Sequence, residues 1–153
     1  MKFIIVLFFL FGFQSIIHSQ NLTLDELFKI NSKGITEIRK ILKAKGFSLK
    51  DIRKGVHGVP SYTWLSKSGT KKIFFRELDL DEESSTLSYS PLTVNEYESL
   101  KKEVLKRGFK QVPYNNYDPD TMEITSYKKG KVEVNFFIID KISNARYEVA
   151  VSD

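Results

Sequence analysis

Beyond its first 20 residues the chain has a single histidine, His57, set in Gly55-Val56-His57-Gly58-Val59-Pro60, and it has no cysteine anywhere. A histidine can accept a proton from a serine nucleophile when a carboxylate orients its ring. No serine lies in a nucleophile-elbow pattern, and a glycine-flanked loop histidine reads as solvent-exposed and inert. Two carboxylates could in principle cleave a glycosidic bond, yet no pair is singled out. The expectation is therefore a non-enzymatic protein with no catalytic residue and no cofactor. A small hydrolase using His57 or a carboxylate pair is the alternative.

Asn116, Asp118 and Asp120 alternate in the loop Tyr114-Asn115-Asn116-Tyr117-Asp118-Pro119-Asp120-Thr121, a spacing that could aim three oxygens at calcium. The glycine such a loop requires is Thr121, and the distal glutamate position holds Tyr127. Turn chemistry accounts for Asn, Asp and Pro without an ion, so these three stand as weak metal candidates and no metal is expected. The more promising surface is aromatic. Tyr62, Trp64, Phe74, Tyr89, Tyr114, Tyr117, Phe137 and Tyr147 exceed what one small core comfortably hides. Tyr and Trp are favoured contact residues at interfaces. Tyr62 and Trp64 share one strand face, and with Tyr114 and Tyr117 they form the candidate binding set. The competing reading is that the Tyr62–Trp64 face packs under a helix.

These residues must be positioned by elements that occur twice. Lys45-Gly46-Phe47 and Arg107-Gly108-Phe109, 62 residues apart, each end an amphipathic helix. The first helix runs from about Lys33 to Lys45 with Ile35, Ile38, Ile41 and Leu42 on one stripe. The second opens on the capping-box pattern Thr93-Val94-Asn95-Glu96 and carries Tyr97, Leu100, Val104 and Leu105. Gly46 and Gly108 sit where a residue of positive φ stops a helix. A short helix from Leu24 to Ile30, capped by Thr23, precedes the first unit.

Strands are expected over Ser61–Ser66, Lys71–Leu78 and Thr86–Ser90, and again over Met122–Lys128, Lys131–Asp140 and Glu148–Ser152. Phe47–Leu49 and Phe109–Tyr114 are candidates for a short first strand in each unit. Val132, Val134, Phe136 and Ile138 alternate with Glu133 and Asn135, so one sheet face is buried and the other partly wet. Short hairpin connections require antiparallel pairing. The predicted fold is α+β: two tandem α-β-β-β(-β) repeats forming an antiparallel sheet with helices on one face. Residues 20–90 hold the short helix and first repeat, and 91–153 hold the second.

Lys2, the apolar run Phe3–Phe13 and small Ser19 before a polar stretch make residues 1–19 a signal peptide. The run is too short for a membrane span, which needs roughly 20 apolar residues. Cleavage near Ser19/Gln20 would release a periplasmic or extracellular chain with no transmembrane anchor. It would carry 23 basic and 19 acidic side chains, a net of +4. Eight basic residues crowd Lys33–Lys54, while Asp79–Glu98 holds six acidic residues and no basic one. Such asymmetry can steer charged partners; export disfavours nucleic acid.

With its signal peptide, Lys-Gly-Phe helix end, Tyr127–Lys131 hairpin and duplicated unit, the chain resembles small exported bacterial proteins of uncharacterised function. Its repeat plan is also similar to the β-lactamase inhibitor protein fold, where tandem helix-plus-sheet units form a concave protein-binding surface. That family carries disulfides, which a chain without cysteine cannot form. The resemblances imply a binding module for a protein or an envelope polymer, with inhibition of an extracellular enzyme as a sharper alternative.

Overall fold

The computed structural model of the protein describes residues 21–54, 58–76, 85–114, 121–140 and 144–153. The expected signal peptide, His57, Asn116, Tyr117, Asp118 and Asp120 lie outside these residues. The described elements are, in order, α1 (Leu24–Asn31), α2 (Ile35–Ala44), β1 (Phe47–Lys54), β2 (Pro60–Ser66), β3 (Lys72–Arg76), β4 (Thr86–Leu92), α3 (Val94–Lys106), β5 (Lys110–Val112), β6 (Met122–Lys129), β7 (Val132–Ile139) and β8 (Arg146–Ser152). The eight strands form one sheet in the order β1-β2-β3-β4-β8-β7-β6-β5, with every neighbouring pair antiparallel. The protein is thus α+β. No described helix is long and apolar enough to cross a membrane.

The helices form where the sequence caps them. Thr93 Oγ1 accepts from Glu96 N at 3.2 Å, and Glu96 Oε2 accepts from Thr93 N at 2.6 Å. Thr23 and Glu26 make the same reciprocal pair at the start of α1. The helix α2 starts two residues later than its periodicity suggests, because Gly34 is its N-cap and provides no side-chain acceptor. Gly46 and Gly108 have φ of 81° and 80°, a conformation that costs a side-chain-bearing residue about 1–2 kcal/mol.

All three helices pack on one face of the sheet. Ile38 and Leu42 of α2, Tyr97, Leu100 and Val104 of α3, and Leu24, Leu27 and Ile30 of α1 are buried against Trp64, Ile73, Phe75, Leu87, Val134, Phe136, Val149 and Val151. Alternation accounts for this membership, since Ile73 and Phe75 are two apart in β3, as are Val134 and Phe136 in β7.

The added helix α1 ties the ends of the other two. Asp25 Oδ1 accepts from Arg107, the C-cap of α3, at 2.6 Å, and Glu26 pairs with Lys45, the C-cap of α2. At its other end Asn31 Nδ2 donates to Asp153 Oδ1 at 2.9 Å, and Ser85 Oγ donates to the same oxygen at 2.9 Å. Both edge strands depart from expectation. β1 runs eight residues rather than three, and its sequence hid this because six of those eight are exposed and do not alternate. β5 is shorter than Phe109–Tyr114.

Candidate binding face

The side of the sheet opposite the helices has no described helix or strand packed on it. Its composition follows from the register. Phe74 lies between Thr63 of β2 and Ser88 of β4, and Phe137 lies between Ile124 of β6 and Glu148 of β8. All of these residues are half-buried. The helix face encloses Ile73, Phe75, Leu87, Tyr89, Val134, Phe136, Val149 and Val151, whereas here two phenylalanines keep part of their surface in water.

Between the two phenylalanines the face is small and polar. Ser88 stands directly opposite Ala150, and Ala150 directly opposite Asn135. Asn135 accepts a hydrogen bond from Ser126 Oγ across the β6–β7 pair and donates through Nδ2 to Glu133 Oε1 at 3.0 Å. This chain fixes the amide, so its remaining hydrogen-bonding capacity is pre-oriented. Strands β3 and β7 are three steps apart and Phe137 lies two residues along from the row of Phe74, which separates the two by about 16 Å at ordinary strand geometry. That span fits within one protein–protein contact of roughly 800 Å² per partner. Lys72 and Arg76 border the β3 side, and Glu133 and Glu148 the β7–β8 side, so the face is electrostatically two-ended.

The binding set expected from sequence is not brought together. Trp64 is 1% exposed and Tyr62 8%. They lie opposite Ile73 and Phe75 on the helix face. Their rings stack at 5.8 Å, and the Arg39 guanidinium sits 5.9 Å above Tyr62. This corrects their assignment to a contact surface: period-2 alternation puts them on the apolar face of β2, where helix packing removes them from water. Tyr114 is exposed just beyond β5, six strand steps from β2 and so about 29 Å away along the sheet. It cannot form one patch with Tyr62 and Trp64. The signal for the face that is open was present in Phe74-Phe75 and Phe136-Phe137, since two consecutive phenylalanines in a strand must serve opposite sides.

Perturbed ionisation lies away from this face. Burial raises the hydroxyl pKa of Tyr89 and Tyr97, both core residues. Partial burial opposes ionisation of Glu96, but hydrogen bonds from Lys71 and from Thr93 N outweigh it and hold the carboxyl below its ordinary value. Lys71 Nζ reaches Glu96 Oε2 at 2.7 Å and Pro91 O at 2.9 Å, so this pair pins the start of α3 to the β2–β3 hairpin. Among the described residues no group of His, Asp and Glu side chains converges to hold a metal ion. What the open face can offer is apolar contact, the oriented amide of Asn135 and charges of both signs. No protein-family model matches this sequence, and neither the curated proteins nor the solved structures yield a match.

Proposed function

We propose that this is an exported, non-enzymatic binding module in which two copies of a helix-plus-four-strand unit form one sheet, and that a protein partner docks on the open face. Duplication is supported by register. Ser88 and Ala150, 62 residues apart, are direct partners, and a shift of 62 converts the pair Leu87–Val151 into Val149–Tyr89. The β4–β8 join is thus a local two-fold axis. Similarly Ile73–Tyr89 and Phe75–Leu87 correspond to Val134–Val151 and Phe136–Val149. Trp64, opposite Ile73, corresponds to Tyr127, opposite Val134. Export is supported by Lys2 and the run Phe3–Phe13.

One observation carries the binding reading. At corresponding positions the helix face keeps its character, with Ile73 matching Val134, Phe75 matching Phe136 and Leu87 matching Val149. The open face does not: Phe74 matches Asn135, Arg76 matches Phe137, and Lys72 matches Glu133. Burial constrains the first set to apolar residues, whereas divergence of the second leaves an asymmetric surface suited to one asymmetric partner. Tandem units with a binding sheet are also the plan of the β-lactamase inhibitor protein fold.

The test is affinity capture from the native envelope fraction with the exported wild-type protein and with Phe74→Asp and Phe137→Asp, each first shown to keep wild-type urea stability. A protein retained by wild type and lost with either variant supports the reading. Identical recovery with all three, or capture of an envelope polymer alone, overturns it. If the captured protein is an enzyme, its activity with and without the module distinguishes an inhibitor from an adhesive contact.

A further inference from the structure

The outer edge of β1 has a chemistry distinct from the open face. β1 ends the sheet, and no described strand pairs with its outer side. Half of its backbone N–H and C=O groups therefore point away from β2, a ready template for strand addition. Its register with β2 shifts between Leu49 and Asp51, and then runs unbroken from Asp51–Thr63 to Lys54–Pro60. Beside this run two large apolar side chains stand in water, Leu49 at 37% and Ile52 at 52% exposed. Both lie on the helix side of the sheet, opposite Trp64 and Tyr62, but beyond the cover of α2.

The charge around this strip is mainly positive. Arg39 reaches over Tyr62, the direct partner of Ile52. Lys43, one turn further along α2, shares that flank. Lys50 and Lys54 belong to β1 itself. Among the described residues none of these four cations has an ion pair. The strand's own carboxylate, Asp51, is held by Arg53 at 2.5 Å. The opposite end of the sheet is unlike it, since β5 spans three residues.

We propose that the outer edge of β1 takes an extended, acidic segment of another protein as an added strand. Main-chain hydrogen bonds would give the register, and the helix-side residues of the added strand would meet Leu49 and Ile52 with apolar side chains and Arg39, Lys43 and Lys54 with carboxylates, Lys50 adding positive charge at the register shift. Edge lysines and a register shift guard a sheet against pairing with its own kind. The same positive charges that repel a second β1 favour an acidic strand. This surface is independent of the open face.

The probe is a fluorescein-labelled ten-residue peptide with threonine at every second position and valine and glutamate taking turns at the others, so that both fall on one strand face, with a counterpart carrying lysine for glutamate. Each is titrated into the exported protein by fluorescence anisotropy, with amide hydrogen exchange followed in parallel. Binding of the acidic peptide at least about tenfold tighter than the basic one is expected, weakening with salt, with slowed exchange at alternate residues of β1. Ile52→Asp and Lys54→Glu should each weaken it by about tenfold. Phe74→Asp should leave it unchanged, which separates this surface from the open face. Equal binding of both peptides, acidic binding without slowed exchange in β1, or a dimer with β1 protected in the absence of peptide would each overturn the proposal.

Discussion

Phe74 and Phe75 are adjacent in β3 and serve opposite sides of the sheet. Phe75 is 2% exposed beneath the helices, while Phe74 is half-buried opposite Thr63 and Ser88 on the open face. Phe75→Ala should therefore cost about 3–5 kcal/mol through lost transfer energy and a residual cavity. Phe74→Ser should cost about 1 kcal/mol or less. Urea denaturation of both variants checks this, and equal losses would mean that the open face is covered.

Trp64 is the only tryptophan in the chain. Its indole, 1% exposed and stacked on Tyr62, should emit at the short wavelengths of a buried ring and resist iodide quenching. Addition of a partner on the open face should leave both unchanged, because the ring sits on the other side of the sheet. Quenching that matches the unfolded chain would contradict the assigned register of β2.

Glu96 gives stability a defined pH dependence. Its folded pKa lies below the ordinary 4.5, so its contribution is complete above that value and is lost as pH falls through the folded pKa. Glu26 is depressed in the same way: burial opposes its ionisation, but the hydrogen bonds from Lys45 and Thr23 and the charge of Lys45 together outweigh it. Glu96→Gln keeps the capping geometry while removing the charge facing Lys71. It should cost about 1–2 kcal/mol at pH 7, and its stability should converge on wild type as the solution is taken well below pH 4.5. A gap that persists in acid would assign the loss to packing.

Gly108→Ala isolates backbone conformation, since a Cβ there meets no atom within 4 Å although φ is 80°. The expected cost is about 1–2 kcal/mol, shared with Gly46→Ala at the matching helix end. A thermal midpoint equal to wild type would show that the helix end tolerates another cap.

Tyr97 is 2% exposed, with its ring edge-on to Phe136 at 5.3 Å, and its hydroxyl has no hydrogen-bond partner among the described residues. Tyr97→Phe keeps the ring and removes an unsatisfied polar atom. It should be neutral or stabilise by up to about 1 kcal/mol. Destabilisation would reveal a partner for the hydroxyl, such as bound water.

The local elements were legible in the sequence because their causes are local. The Thr-x-x-Glu cap of α3, the helix-ending glycines and the alternation through Val132–Ile138 act over a few residues, and each is found where its chemistry puts it. Even the sidedness of Phe136 and Phe137 follows from the period of a strand. What only the tertiary structure decided was which face the helices cover, and hence that Trp64 and Tyr62 are core while Phe74 and Phe137 are not. It also decided that β4 pairs with β8, which sets Ser88 against Ala150 and places β1 at the end of the described sheet. Those outcomes depend on contacts between residues far apart in the chain, where burying the larger apolar area outweighs any preference an isolated segment can express.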